Sequence, residues 1–357
     1  MTSSPTPVQA DVVDLFAGPG GLDVAASWLG LDVIGVEIDP NACATRDTAG
    51  LRTVQGDVRA FGVEDFPTAR ILAGGPPCQT FTMAGTGSGR KALDSVISLV
   101  EDMAGGADIG SRTGEFDDER TGLVLEPLRW ALAAIEADRP FEAIVLEQVP
   151  AVLPVWQAIG AVLRDRGYGV DHRVLHTEQF GVPQTRRRAL LVARYQDSVE
   201  LPLPTHEGFR RGAAHQHSLG LRAWVSMGQA LRRTDPFVVV SNYGSGGDPR
   251  NRGTRSSSEP AATITGKVTR NRIVNADGSE SRLSHSEAGA LQTFPSDFPW
   301  SGSDISQQIG NAIPPRLALH VLAAALKIEI GESFVDEMVR ADWRSFADRP
   351  EPVSTVA

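Results

Sequence analysis

Cysteine is scarce in this sequence: 357 residues contain two, Cys43 and Cys78. Two thiols exclude a disulfide framework and a four-cysteine zinc site, so no structural metal is expected. They also fit a reducing compartment, and the cytoplasm is the expected location. Aromatic residues are sparse, at 6%. Uninterrupted apolar runs long enough to cross a bilayer are missing, so no membrane partner is expected. Residues 1–10, MTSSPTPVQA, contain neither a basic cluster nor an apolar run. A secretory leader is therefore not expected, and the Ser/Thr/Pro content reads as a disordered tail. What remains is ordinary for a folded protein, with 41% hydrophobic and 22% charged residues. The length accommodates two domains, or one with an insertion.

The formal charge of −10 argues, taken alone, against a nucleic-acid partner, but it is unevenly spread. Residues 201–280 hold eleven Arg and Lys against six Asp and Glu, while the rest of the chain holds 23 against 38. A basic segment inside an acidic protein suits either a docking polyanion or a solvated arginine-rich surface.

Short apolar runs alternate with helical periodicity. DVVDLF (11–16), VIGV (33–36), ILAG (71–74), AIVL (143–146) and ALLVA (189–193) read as buried strands. Residues 21–28 read as a helix, as do the segments spaced by Leu125, Leu128, Leu132 and Ile135 and by Val155, Ile159 and Val162. The expected fold is α/β, with a doubly wound, mostly parallel sheet. Two stretches break the rhythm. Residues 83–120 are glycine- and charge-rich, and read as a long lid or binding loop. Residues 196–280 lose the alternation and read as a smaller inserted domain.

In such sheets ligands bind beyond the carboxyl ends of the strands, and four candidate groups lie there. Phe16-Ala-Gly18-Pro-Gly20-Gly21 lets the backbone turn tightly and approach a ligand. Glu37, after the second strand, suits the two hydroxyls of a ribose. Together they point to a nucleoside cofactor, either S-adenosylmethionine or a dinucleotide. Cys78 follows Gly74-Gly75-Pro76-Pro77, a stiff mount that suits a nucleophile. Glu147 directly follows an apolar strand, and its poor solvation suits proton donation. In Gln184-Thr185-Arg186-Arg187-Arg188, alternation along an extended chain turns Arg186 and Arg188 to one face and Arg187 to the other.

Taken in order, these segments resemble those of the C5-cytosine-specific DNA methyltransferases. The resemblance is carried by DLFAGPGG (14–21), GVEIDP (35–40), GDVR (56–59), GGPPCQTFT (74–82), LEQVP (146–150), QTRRRALLV (184–192), ALQTFP (290–295) and QIGNAIPP (308–315). It spans about residues 11–325 and departs from the family at Gln148, where asparagine is usual. In the family that asparagine positions the nucleophile loop through hydrogen bonds.

The resemblance implies a catalytic, S-adenosylmethionine-binding domain over 11–197 and a target-recognition domain over 198–303. A return segment over 304–344 would complete the first domain, and 345–357 would form a loose tail. It implies that Cys78 adds to C6 of a flipped-out cytosine, Glu147 acts at N3, Arg188 contacts O2 and Arg186 supports the same pocket. The cofactor would be held by Phe16, Gly18, Gly20, Gly21, Leu22, Glu37, Ile38, Asp57, Pro77 and Asn311. Double-stranded DNA would be gripped by Arg250, Arg252, Arg255, Lys267, Arg270 and Arg272. The implied protein is a monomer, with a restriction endonuclease as a functional partner. An RNA (tRNA) cytosine-5 methyltransferase or a catalytically silent DNA-binding relative would share many of these motifs. The sizeable basic segment favours DNA, and intact Cys78, Glu147 and Arg188 favour an active enzyme.

Overall fold

The computed structural model describes residues 7–77, 87–107, 119–212, 220–241 and 253–347. Cys78, Arg250 and Arg252 lie outside the described residues, as do most of the two tails.

The central sheet is built from β1 (Val12–Leu15), β2 (Val33–Glu37), β3 (Thr53–Gln55), β4 (Ile71–Gly74), β5 (Ala143–Gln148), β6 (Tyr168–His176) and β8 (Arg187–Tyr195); the two-residue β7 (Gln184–Thr185) lies outside it. Its order is β3-β2-β1-β4-β5-β8-β6. The first five strands run parallel, while β8 is antiparallel to both β5 and β6. The chain reverses its winding between β1 and β4, and this opens a crevice at the strands' carboxyl ends.

Alternation along each strand divides the core into two layers. Val13, Leu72, Ile144, Leu146 and Leu191 pack on one face with α3 (Gly87–Ala104), α4 (Glu126–Glu136) and α5 (Leu153–Asp165). Val12, Ile71, Val145, Leu190 and Val192 pack on the other with α1 (Gly21–Trp28) and the later helix Pro315–Leu326. The apolar helical stretch Ile305–Leu326 is long enough to cross a membrane, but it is 78% buried within the protein.

Several expectations change. Part of the predicted 83–120 loop is the 18-residue helix α3. Val96, Leu99, Val100 and Met103 fall on one buried stripe, a signal masked by the glycines on either side. Residues 7–10 are tethered rather than loose: Val8 N–H donates to Asp65 O (2.8 Å), and Ala10 N–H donates to Thr68 Oγ1 (2.8 Å). The helix Trp343–Ala347 likewise takes in the start of the expected C-terminal tail.

A second, smaller core gathers Met227, Phe237, Val239, Ile264, Ile273, Leu283 and Leu291. It is covered by an antiparallel sheet of β9 (Phe237–Val240), β10 (Thr254–Ser256), β12 (Arg272–Asn275) and β13 (Glu280–Ser281), in the order β10-β9-β12-β13. The remaining strand, β11 (Ala261–Ala262), leaves this sheet and pairs in parallel with β7 of the larger unit.

Candidate active site

The first turn of the crevice follows β1. Phe16 and Gly18 take positive φ values of 61° and 55°, and Gly20 reaches 99° as it caps α1. A non-glycine residue at φ near 60° is uncommon, and Phe16 is held there as Ala17 N–H donates to Val36 O at 3.2 Å. A Cβ on Gly21 would collide with the carbonyl oxygen of Ile313, so glycine is required where α1 meets the return segment.

Glu37 ends β2 with its carboxylate gathered by three backbone donors: Gly18 N–H (2.7 Å), Ile38 N–H (2.8 Å) and Asp39 N–H (2.7 Å). A carboxylate has about four acceptor sites, so capacity for a ligand's hydroxyls remains. Ile38 beside it is 59% exposed, an apolar ledge at the mouth of the crevice. Gly56 N–H donates to Glu37 O (2.9 Å), which brings Asp57 alongside. Hydrogen bonds from the Arg59 side chain hold the Asp57 carboxyl below the usual range. Beyond Gly18 a Cβ would meet nothing within 4 Å, so the loop borders open space. Hydroxyl acceptor, apolar ledge, second carboxylate and open glycine loop together fit a nucleoside.

The Leu22 side chain is buried in the core that packs α1 on the sheet. Asn311 is exposed at the end of the helix Ile305–Asn311, where its Oδ1 accepts from Gln307 Nε2 (2.7 Å). Gln308, which sequence reasoning left without a role, joins this segment to the helix Pro40–Thr48. Its Oε1 accepts from Thr45 Oγ1 (2.6 Å) and its Nε2 donates to Asn41 O (3.0 Å).

A charged network, also missed, underlies the glycine loop. Arg46 and Asp23 form a fully buried two-pronged ion pair, at 2.9 and 2.6 Å. Arg46 also donates to Thr53 Oγ1 (2.9 Å) and Arg52 O (2.9 Å). Burial and the neighbouring Asp23 push the Asp14 carboxyl well up from its usual range beside the pair.

The second half of the crevice lies at the end of β5. The antiparallel course of β8 is decisive here, because it returns the start of β8 to the carboxyl end of β5. Glu147 pairs in register with Leu190, so Arg188 stands diagonally across on the same face. The Arg188 Nε–H contacts Glu147 Oε1 directly, and both side chains are largely buried. Next to them, Gln148 Nε2 donates to Pro76 O at 2.5 Å. Pro76 is buried and Pro77 half-buried, immediately ahead of Cys78.

Arg186, expected to support the same pocket, does not reach into it. It is buried, and its guanidinium donates to Ile264 O (2.9 Å), Gly310 O (2.9 Å) and Ala312 O (3.2 Å). Burial, reinforced by Arg188, lowers its pKa. Arg186 is thus a brace between the strand entering β8, the smaller core and the return segment. Gln184 works beside it, accepting from Ile264 N–H (3.0 Å) and donating to Leu291 O (3.0 Å). Of the basic candidates, Lys267 and Arg270 are exposed, Arg272 pairs with Glu280 across β12 and β13 (2.9 Å), and Arg255 lies over the Phe209 ring.

The fold defines an α/β protein of the methyltransferase type. The sequence matches the C-5 cytosine-specific DNA methylase family over residues 10–102, 108–211 and 224–327, and the chain belongs to that family. Among characterised relatives, Type II methyltransferase M1.HphI of Haemophilus parahaemolyticus is 27% identical over 90% of this chain and 87% of that protein. M.AplI of Arthrospira platensis is 26% identical over the same shares. In solved structures the fold recurs in the S. pombe Dnmt2 methyltransferase (TM-score 0.60, 16% identity, 90% of this chain and 98% of that one). It recurs also in a putative DNA modification methyltransferase encoded within an E. coli prophage (TM-score 0.57, 19% identity, 90% and 99%).

Proposed function

We propose that the chain transfers a methyl group from S-adenosylmethionine to C5 of a cytosine flipped out of double-stranded DNA. The observation that carries this reading is the junction of β5 and β8. There Glu147 and Arg188 meet at the strand ends, and Gln148 grips the carbonyl of Pro76, two residues before Cys78.

The residues around Gly18 and Glu37 suit S-adenosylmethionine, which when bound supplies an electrophilic methyl group. Glu37 would accept from the ribose hydroxyls, Asp57 from the adenine amino group, and Ile38 would lie against the purine. Phe16, Gly18, Gly20 and Gly21 would line the methionine side, with Pro77 and Asn311 closing the crevice.

Cytosine C5 is a poor nucleophile. The Cys78 thiolate adds to C6 and makes C5 electron-rich. Glu147 donates a hydrogen bond or a proton to N3 as charge develops there, and Arg188 donates to O2. C5 takes the methyl group, a base removes the C5 proton, and the Cys78 sulfur leaves as the aromatic ring re-forms. A base within a duplex cannot reach these groups, so flipping at a cost of a few kcal/mol belongs to the reaction. Arg186 touches none of the reacting atoms in this scheme; it fixes the strand that carries Arg188. The smaller unit would serve as the recognition domain, with phosphate contacts from the basic 201–280 segment.

We infer a monomer acting in the cytoplasm, functionally paired with a restriction endonuclease, in keeping with the Type II names of its relatives. The test is incubation with labelled S-adenosylmethionine and either duplex DNA or tRNA, followed by nucleoside mass spectrometry. The expected product is 5-methyldeoxycytidine, lost in Cys78→Ala although DNA is still bound. Turnover by Cys78→Ala would overturn the covalent route, and label in tRNA alone would overturn the DNA substrate.

A further inference from the structure

A cleft of about 800 Å³ shares Arg188 with the Glu147 pair, and the reaction above leaves most of its lining unused. Five arginines and two glutamates line it, with Phe209 and Trp224 among them. Its charge suits DNA, and its position places the bound segment beside the target base.

One of these arginines is mounted unlike the rest. The Arg255 guanidinium carbon sits 4.7 Å from the centroid of the Phe209 ring. Phe209 in turn meets Trp224 edge-on, with centroids 5.3 Å apart and planes at 87°. Trp224 is buried, so the stack has a fixed base. From below, Arg255 is carried on β10, where it pairs in register with Val239 of β9. Its Nη1 is buried without a hydrogen-bond partner, 4.0 Å from Glu259 Oε1, so the counter-charge does not engage the fork. The side chain is 21% exposed.

A phosphate contact asks only for a positive charge on a flexible arm, as exposed Lys267 and Arg270 supply. Reading a base asks for more. The planar fork must be held so that two parallel N–H groups meet two acceptors on a base edge. Guanine is the base that offers such a pair, O6 and N7, in the major groove. We propose that Arg255, laid on Phe209 and backed by Trp224, reads a guanine in the target sequence next to the methylated cytosine. This rests on the chain acting as a DNA cytosine methyltransferase. It separates Arg255 from the phosphate-holding group to which its position in a basic run would assign it.

The experiment treats unmethylated genomic DNA with the full-length protein and S-adenosylmethionine, and maps 5-methylcytosine at base resolution. Wild type is expected to yield a motif with a guanine at a fixed position. Arg255→Lys keeps the charge and loses the fork. It is expected to weaken discrimination at that one position by about tenfold or more, with the salt dependence of binding unchanged. Phe209→Leu, which keeps the arginine but removes its platform, should relax the same position to a smaller degree. Lys267→Ala with Arg270→Ala should lower methylation at all sites alike. Thermal unfolding of each variant identifies any that fail to fold, and the two Arg255-site variants act as independent readings. An unchanged motif in folded Arg255→Lys would overturn the proposal. So would a uniform loss at every site, which is the mark of a phosphate contact. Absence of 5-methylcytosine with wild type would overturn the methyltransferase reading itself, and the proposal with it.

Discussion

The side-chain amide of Gln148 is committed at both ends. Its Nε2 donates to Pro76 O at 2.5 Å, and its Oε1 accepts from Val149 N–H at 2.5 Å. Asparagine, usual at this position, is one methylene shorter, and from the same strand end it would fall short of Pro76. The longer side chain reaches the Gly-Pro-Pro loop directly from the end of β5. Gln148→Leu leaves the buried Pro76 carbonyl without its donor, a change worth about 1–3 kcal/mol locally. Single-turnover methyl transfer is expected to fall about tenfold while S-adenosylmethionine affinity holds. Gln148→Asn should recover only part of the rate. A wild-type rate in Gln148→Leu would show that the loop is held by other means.

Glu147 and Arg188 are already in contact before any substrate arrives. Glu147→Gln keeps the shape and can still donate to N3, but it cannot transfer a proton. The chemical rate is expected to drop about a hundredfold, with DNA affinity changed little, because the interaction strengthens in the transition state. Arg188→Met should be worse in a different way: it strands a largely buried carboxylate and so lowers thermal stability as well as rate. Equal losses of rate and DNA affinity in Glu147→Gln would mark the glutamate as structural.

The parts of the site legible in the sequence are those made by consecutive residues. An apolar strand ending in Glu37, another ending in Glu147, and Gly-Gly-Pro-Pro before Cys78 each announce a strand end facing a ligand. Contacts made by strand direction were not legible. Nothing in ALLVA says that β8 runs against β5, yet that reversal alone brings Arg188 to Glu147. Arg186 falls between β7 and β8, and the carbonyls of Ile264, Gly310 and Ala312 claim its guanidinium from segments 78 to 126 residues away. Arg46 and Asp23 read singly as helix-surface charges; only the packing of two helices against β2 buries them together.

That buried pair should be a strong determinant of stability. Arg46→Met leaves Asp23 uncompensated beside Asp14, and the expected loss is about 3–5 kcal/mol in chemical denaturation. Asp23→Leu combined with Arg46→Met removes both charges of the pair and should lose much less than the two single changes added together. Additive losses would mean that the two residues do not act as a pair.

Acid should loosen the attachment of the helix Glu332–Arg340 to the core. Glu332 and Asp336 receive Arg316 at 2.5 and 2.7 Å and Arg222 at 3.2 and 2.9 Å, with His320 (3.2 Å) and His206 (3.9 Å) facing Glu332. Burial, with Arg316 and Arg222 nearby, drives His206 down from 6.5 to about 4. The folded chain refuses a proton that the unfolded chain accepts, so stability is full above pH 6.5 and declines as pH falls toward 4. Burial alone would raise Glu332, but the facing His320 and the charge of Arg316 bring it down from 4.5 to about 2. Its contribution is lost over that lower window, in the same direction. The melting temperature should therefore drop steadily below pH 6.5, and His206→Gln should flatten the decline between 6.5 and 4.5 while leaving the steeper fall below it. A melting temperature independent of pH from 6.5 to 4.5 in the wild type, or an identical slope in His206→Gln, would show that this histidine does not govern the acid response.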